Sequence, residues 1–317
     1  MSIAHIGHAE LLVPDLDASV SYFRDLVGLR VTETVGDRVF LRAWQDWDHH
    51  TLVLTDSPEP GLRHMGWRVK TKADAEQIHA AITERGVEST WTAGSDEVGH
   101  GDALRFLTPG GLPFELYWEV QKHVPPPEDA SKLPSHPSRV SIQGAAVRRF
   151  DHVTFIVDDV VAEQEFLTNA LGIRHNYFIH GPDGGRWGSW LSCNNVSHET
   201  ALTRNAHQDG GKLHHIAYYV DSVDEVARAA TLLIDHGYEL EWGPGKHGTS
   251  GATFLYFREP GGNRVEIWTG GLLIFDPDWE AIDWSKHVGH LGNSLWGTPM
   301  PETFRDGTSL PKTVVTA

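Results

Sequence analysis

The residues best suited to chemistry occur as one set in each half of the chain. Each set holds two histidines and one glutamate at matching points of an internal repeat: His152, His215 and Glu266 in the second half, and His8, His64 and Glu115 in the first. Partners are 144, 151 and 151 residues apart, so the halves differ by an insertion of seven residues. Two imidazoles and one carboxylate can hold a metal ion on one side and leave its other positions open.

Strand periodicity predicts that the second set can converge. Alternate side chains of a strand share a face, so the three residues can meet inside a curved sheet that forms a trough. His214 then points the opposite way, and we take His215 as the ligand because the single His64 aligns with it. One histidine at the start of a strand is more often a hydrogen-bonded structural residue, whereas the repeated set favours a metal site.

Three further polar residues border the predicted trough, and none of them is needed as a ligand. His198, His247 and Tyr256 lie in strands or loops beside the second set and are suited to moving protons. In the first half, Arg105 stands where Tyr256 does, and Asp48 falls near the place of His198. The proton-handling residues are therefore expected only in the second half.

Composition excludes several classes of function. A formal net charge of −17 repels phosphate backbones and anionic lipids, so we expect neither nucleic acid nor a membrane as a partner. No apolar run approaches the roughly 18 residues of a membrane span. Cys193 is the only cysteine, which excludes a disulfide framework, and the first residues do not resemble a signal peptide. We expect a cytoplasmic protein.

The 317 residues exceed the usual size of a single core and predict two domains with a tail. A run of three prolines at 125–127 marks a linker, so we assign 1–145 and 146–272 to the domains and 273–317 to the tail. Each half reads twice as strand, helix and three strands, which predicts an α+β fold of four βαβββ modules. The tail is expected to wrap a domain or a neighbouring subunit.

Helix signals match between the halves. Asp15 and Asp159 are predicted N-caps, and Gly28 and Gly172 are predicted ends of the helices that follow them. Second helices are predicted at 73–85 and 223–236. The agreement extends the repeat from the metal-ligand candidates to the elements that must position them.

The segment from Tyr256 to Glu266 resembles the signature of the type I extradiol ring-cleavage dioxygenases of the vicinal oxygen chelate superfamily, which include catechol 2,3-dioxygenase. In that signature a tyrosine precedes an acidic residue and proline turn, here Glu259-Pro260, and then a ligand glutamate. The resemblance covers residues 5–270 and implies the vicinal oxygen chelate fold. It also implies extradiol cleavage of a catechol by dioxygen to a 2-hydroxymuconic semialdehyde-type product.

The resemblance assigns roles to the second set. His152, His215 and Glu266 would hold Fe(II), or Mn(II) as in some relatives. His198 would hydrogen-bond to dioxygen and donate a proton, His247 would orient a substrate oxygen, and Tyr256 would accept or steer the second catechol proton. The implied partners are a catecholic substrate, dioxygen and further copies of the chain, as a tetramer.

In this family the N-terminal half keeps the fold but has generally lost its metal. Here His8, His64 and Glu115 are all present, so the sequence leaves a second metal open. We expect the first domain to hold none, because the proton-handling partners are missing there.

The tail bears on substrate preference. Relatives that cleave homoprotocatechuate carry tail arginines that pair with its carboxylate, and residues 288–297 contain none here. We therefore favour catechol or an alkyl- or aryl-substituted catechol, with a carboxylated catechol as the alternative. Four strand aromatics are either core or the lining of an apolar pocket: Tyr177, Phe178, Trp187 and Trp190.

Two other classes of protein share these modules. A metal-dependent glyoxalase or isomerase would use a similar set of ligands but would not need Tyr256 with His198 and His247. A metal-free, drug-sequestering protein would be smaller and would lack the ligands altogether.

Overall fold

Two mixed sheets, one in each half of the chain, form the framework. The computed structural model describes residues 3–94, 97–286 and 291–314. In each half a module of one strand, one helix and three strands occurs twice, so the predicted α+β fold of four βαβββ modules is confirmed.

The first sheet belongs to the N-terminal domain, and its strand order is β2-β3-β4-β1-β5-β8-β7-β6. Its elements are β1 (Ile3–Val13), α1 (Leu16–Ser21) with a π-helical continuation (Tyr22–Val27), β2 (Arg30–Val35), β3 (Arg38–Arg42), β4 (Leu52–Asp56), β5 (Gly61–Val69), α2 (Lys72–Thr83), β6 (Ser89–Thr92), β7 (Ala103–Leu107) and β8 (Pro113–Tyr117).

The second sheet belongs to the C-terminal domain, and its strand order is β14-β15-β16-β13-β9-β12-β11-β10-β17. Its elements are β9 (Arg149–Val157), α3 (Val160–Leu171), β10 (Arg174–His180), β11 (Arg186–Ser192), β12 (Thr200–Arg204), β13 (Lys212–Tyr219), α4 (Val223–Asp235), β14 (Leu240–Lys246), β15 (Thr253–Arg258), β16 (Arg264–Thr269) and β17 (Ile282–Asp283), followed by short 3₁₀ helices at Trp284–Lys286 and Glu302–Arg305.

The first strands of the two modules in each half pair with each other at the centre of the sheet. β1 runs antiparallel to β5, and β9 runs antiparallel to β13. Each of these strands also pairs in parallel with the last strand of its own module. In the second half this pairing makes β9, β13 and β16 neighbours, so His152, His215 and Glu266 come from three adjacent strands.

The helix ends follow the predicted signals. The side chains of Asp15 and Asp159 accept hydrogen bonds from backbone N–H groups of the first turn. Gly28 and Gly172 end the helical stretches with φ of 91° and 73°, a left-handed conformation that costs a residue with a Cβ more than it costs glycine. α2 and α4 lie within two residues of the predicted ranges. No helix among the described residues is long and apolar enough to cross a membrane.

The two domains share one apolar core. The rings of Phe114 and Phe155, one from each domain, have centroids 6.3 Å apart within a continuous cluster of buried residues. Glu163 of α3 reaches across the same boundary and accepts a hydrogen bond from the backbone N–H of Gly110 at 2.7 Å. Burial raises the pKa of Glu163 to about 7, so this interdomain carboxyl group titrates near neutral pH.

The tail packs on both domains of its own chain. β17 extends the second sheet by pairing with β10, and the indole N–H of Trp279 donates to the carbonyl of Asn176. Further along, Thr308 forms a β-bridge with Leu213. Ser309 forms another with Gly61 of the N-terminal domain. The tail thus lies along its own chain, and the linker lies in irregular structure between β8 and β9.

Candidate active site

His152, His215 and Glu266 converge in the second sheet. Nε2 of His152 lies 2.9 Å from Oε2 of Glu266, and Nε2 of His215 lies 3.2 Å from the same oxygen. The two Nε2 atoms are 3.3 Å apart. Adjacent donors bound at about 2.1 Å in an octahedral arrangement lie about 3.0 Å from each other. The three predicted ligands therefore have the spacing of one face of a coordination octahedron.

Asp151 orients the first of these ligands. Its Oδ2 lies 3.1 Å from Nδ1 of His152, so Nδ1 carries a proton and Nε2 faces the other two donors. Metal-bound histidines commonly donate their second N–H to a carboxylate in this way. Sequence reasoning missed Asp151, although it directly precedes the histidine.

Burial and charge set the protonation of the ligands. Burial opposes the charge of Glu266, but the hydrogen bonds to the histidines outweigh it and hold its pKa well below the ordinary value. Burial lowers the pKa of His215 to about 4, which keeps its imidazole neutral. Oε1 of Glu266 is buried and has no hydrogen-bond partner among the described residues. Such a carboxylate is costly to bury alone, and a cation would satisfy it.

Tyr256 and His247 form a hydrogen-bonded pair beside the ligands. Nδ1–H of His247 donates to the carbonyl of Asn293, so Nε2 is left to accept from the Tyr256 hydroxyl at 2.9 Å. The same Nε2 lies 3.7 Å from Oε1 of Glu266. Burial raises the pKa of Tyr256 well above its ordinary value, so the phenol keeps its proton at neutral pH.

His198 packs against His152 from the loop before β12. Its ring centroid lies 4.4 Å from that of His152. Its Nδ1 is 3.2 Å from the hydroxyl of Tyr177 and 3.1 Å from that of Ser197. Burial and the neighbouring His152 hold the pKa of His198 well below its ordinary value, so it is a neutral imidazole. The structure thus brings all six predicted site residues together.

A cavity of about 940 Å³ opens on these residues. Its volume suits a small organic ligand. Of the four strand aromatics, Trp187 and Trp190 line the cavity. Tyr177 instead contacts His198 through its hydroxyl. Phe178 packs under the guanidinium of Arg186, whose Cζ lies 3.7 Å from the ring centroid.

A protein-family model described as the Glyoxalase/Bleomycin resistance protein/Dioxygenase superfamily matches residues 5–116 and 149–267, which is more than half of the chain. The chain belongs to this superfamily. The matched segments coincide with the four modules and contain all the ligand candidates of both halves.

Proteins similar to this chain show which group of the superfamily it resembles. A protein named manganese-dependent 2,3-dihydroxybiphenyl 1,2-dioxygenase, from Geobacillus genomosp. 3, is 39% identical over 94% of this chain and 95% of its own length. A metapyrocatechase from Geobacillus stearothermophilus is 38% identical over 95% and 92%. Homoprotocatechuate 2,3-dioxygenase from Brevibacterium fuscum superposes with a TM-score of 0.86 at 28% identity, covering 98% of this chain and 93% of that one. The chain is thus placed among the metal-dependent extradiol dioxygenases, as its signature predicted.

One expectation about this dioxygenase site is wrong. His214 does not point away from the site, because it lines the cavity and its ring centroid lies 4.8 Å from that of His215. The cause is a β-bulge. Leu213 pairs with Phe155 and His215 with Thr154, so His214 is the extra residue at which strand alternation fails.

The counterpart of His198 in the first domain is also corrected. His50, not Asp48, takes that place, since its ring centroid lies 4.9 Å from that of His8. Asp48 is instead held by the ammonium group of Lys122 at 2.5 Å. The error of two residues arose because the loops before β4 and β12 differ in length, which no periodic signal marks.

The cavity also contains arginines from outside residues 288–297. Arg204 and Arg305 both line it. Arg204 forms an ion pair with Asp183, with Nη1 2.7 Å from Oδ2, whereas Arg305 is exposed. Of the tail stretch 288–297, residues 288–290 lie outside the described part of the chain.

Proposed function

We propose that this chain cleaves catechol or an alkyl- or aryl-substituted catechol with dioxygen, using an Fe(II) or Mn(II) ion held by His152, His215 and Glu266. The observation that carries the proposal is the spacing of these three buried donors at the floor of a cavity large enough for such a ring.

The donor set suits more than one ion. Two imidazoles and a carboxylate are typical of non-haem Fe(II), and carboxylate oxygen also suits Mn(II). The relative named as manganese-dependent supports Mn(II) as the alternative to Fe(II). When bound, the ion would lower the pKa of a catechol hydroxyl and leave positions open for the diol and for dioxygen.

Tyr256 and His247 are proposed to handle the second catechol proton. The phenol is protonated and donates to Nε2 of His247, so a substrate hydroxyl can pass its proton to the phenol oxygen as the phenol proton moves to that nitrogen. The carbonyl of Asn293 accepts from Nδ1–H and stabilises the imidazolium that results. Such a relay contributes on the order of 10²–10⁴-fold in rate.

His198 is proposed to act on the dioxygen side. The hydroxyls of Tyr177 and Ser197 lie within hydrogen-bond distance of its Nδ1. A hydroxyl that donates there leaves the imidazole proton on Nε2. From Nε2 the proton hydrogen-bonds to dioxygen and is later transferred to it, which promotes O–O cleavage.

A carboxylated catechol is the second candidate substrate. Arg305 at the cavity favours it, because a guanidinium can pair with a carboxylate. The likeness to homoprotocatechuate 2,3-dioxygenase, whose structure is described in complex with 3,4-dihydroxyphenylacetate, supports the same substrate class.

The test is to load the metal-free protein with Fe(II), and in parallel with Mn(II), under anaerobic conditions and then to add catechol and air. A yellow ring-cleavage product that absorbs in the near-visible is expected with at least one metal, and its absence from Glu266→Gln ties the activity to the proposed site. A protein that stays colourless with both metals and with both substrate classes would overturn the proposal in favour of a glyoxalase-type or binding function.

A further inference from the structure

The first domain contains a second cluster of metal donors that the proposed reaction does not use. Nε2 of His8 lies 2.9 Å from Nε2 of His64, and each lies 3.5 Å from Oε2 of Glu115. Nε2 of His100 lies 3.2 Å from the same oxygen. Adjacent donors at about 2.1 Å from an ion lie about 3.0 Å apart in an octahedral and about 3.4 Å apart in a tetrahedral arrangement. The observed spacings match both.

The outer nitrogens of the three imidazoles face oxygen atoms, and that of His8 lies 3.4 Å from the hydroxyl of Tyr117. Nδ1–H of His100 faces the carbonyl of Gly101 at 2.8 Å, a group that can only accept. Nδ1 of His64 lies 3.1 Å from Oε2 of Glu10. This pair lies within ion-pair distance but lacks hydrogen-bond geometry, unlike the contact of Asp151 with His152 in the second domain. A proton on the outer nitrogen leaves the Nε2 lone pair of that imidazole facing the cluster, as for His100.

Converging lone pairs need a positive charge between them. Oε2 of Glu115 and Nε2 of His100 are buried and have no hydrogen-bond partner among the described residues. The side chains of His8, His64 and Glu115 are each at most 4% exposed, so water does not screen them. An unshared carboxylate oxygen and imidazole lone pairs at this spacing repel one another unless a metal ion or a proton lies among them.

Arg105 is the group that would compete with a metal ion, and its orientation leaves room for one. Its Nε donates to Oε1 of Glu115 at 2.6 Å, and its Nη2 donates to Glu97 at 2.9 Å. Oε2, the oxygen that faces the histidines, is not the one that it binds. In the second domain the two carboxylate oxygens also face different groups. Oε2 of Glu266 faces the ligand histidines, and Oε1 faces His247.

We infer that His8, His64 and Glu115, with His100 as a fourth donor, bind a second divalent transition-metal ion. Three imidazoles and a carboxylate suit Zn(II), Mn(II) or Fe(II). The role of this ion is structural. Arg105 replaces the phenol that could exchange a proton, and the four donors line neither the 940 Å³ cavity nor the smaller one of about 500 Å³ near His5. The inference revises the expectation that the first domain is metal-free.

Metal content after reconstitution tests the inference. The full-length protein is stripped with a chelator, loaded separately with Mn(II) and Zn(II), freed of excess metal by gel filtration and analysed by mass spectrometry. Two ions per chain are expected for the wild type with at least one of the metals. Glu115→Gln is expected to retain one ion, the matched variant Glu266→Gln one ion, and the double variant none. One ion per chain with both metals, lost in Glu266→Gln and retained in Glu115→Gln, would overturn it.

A second measurement does not depend on how the variants fold. Crystals of the wild-type chain, soaked in Mn(II) or Zn(II) and measured at the absorption edge of that metal, should give an anomalous peak among His8, His64 and Glu115. Density at His152, His215 and Glu266 alone would mean that protonated imidazoles, not a metal, neutralise Glu115. Ring cleavage is a separate readout: a chain that binds two ions but leaves catechol intact contradicts the proposed function and not this inference.

Discussion

Tyr256 lies directly opposite Glu266 in the register of β15 and β16. Residues paired in this way project from the same face of a sheet, so the phenol is fixed beside the ligand carboxylate. Arg105 and Glu115 have the same relationship in the first domain. A phenol can give and take a proton, whereas a guanidinium remains charged. One position of the repeat therefore holds a group that can transfer a proton in one domain and a fixed charge in the other.

Replacing Tyr256 by Phe should lower kcat for catechol on the order of 10²-fold or more, because the proton relay to His247 is lost. Metal content should be unchanged, since the phenol is not a ligand. Steady-state kinetics together with metal analysis check both points. Tyr238→Phe, whose ring is partly buried in the core away from the site, is the control. A kcat within twofold of the wild type would exclude Tyr256 from proton transfer.

The sequence was sufficient to predict the three residues that converge in the second sheet because they combine two independent signals. The repeat marked His152, His215 and Glu266 in one half by their partners in the other, and alternation along strands predicted that they could meet. Each ligand lies on a central strand of its sheet, where both signals are strong. The six site residues named from the sequence lie together in the structure.

Features that depend on loops and bulges could not be predicted. His214 faces the cavity because a bulge interrupts alternation, and a bulge has no periodic signature. His50 was overlooked because the loop before β4 differs in length from the loop before β12. Arg305 reaches the cavity from the tail, which has no counterpart in the first half. In each case the position follows from tertiary packing, not from local pattern.

Replacing Asp151 by Asn should weaken metal binding. The carboxylate accepts from Nδ1–H of His152 at 3.1 Å and makes the imidazole a better donor. Loss of such a partner typically costs 10- to 100-fold in metal affinity, so the dissociation constant should rise by about that factor. Competition titration with a chromophoric chelator measures it, and the exposed Asp183→Asn is the control. An unchanged dissociation constant would show that Asp151 does not support the ligand.

Glu163 should make stability depend on pH between about 4.5 and 7. Burial raises its pKa from 4.5 to about 7 in the folded protein, so the folded chain holds a proton that the unfolded chain releases. This contribution to the free energy of unfolding is fully present below pH 4.5 and is lost as the pH rises through about 7. Glu163→Gln stays neutral and can still accept from Gly110. Its stability relative to the wild type should therefore rise with pH by on the order of 2 kcal/mol.

Urea unfolding of both proteins at pH 5, 6, 7 and 8 checks this difference. Other titrating groups, including the metal ligands, contribute to both proteins and cancel in the comparison. Glu302→Gln, at an exposed position, is the control. Parallel stability curves for Glu163→Gln and the wild type would mean that Glu163 is ionised in the folded protein throughout this range.

Substrate selection should depend little on Arg305. This arginine is exposed at the edge of the cavity, and an exposed ion pair contributes about 0–1 kcal/mol. We therefore expect a higher kcat/KM for catechol than for 3,4-dihydroxyphenylacetate, and Arg305→Ala should lower only the second value, by up to about fivefold. Arg85→Ala, exposed in the first domain, controls for the loss of a positive charge. If the wild type instead prefers the carboxylated catechol and Arg305→Ala loses more than about tenfold on it, the guanidinium binds the carboxylate and the second candidate substrate replaces the first.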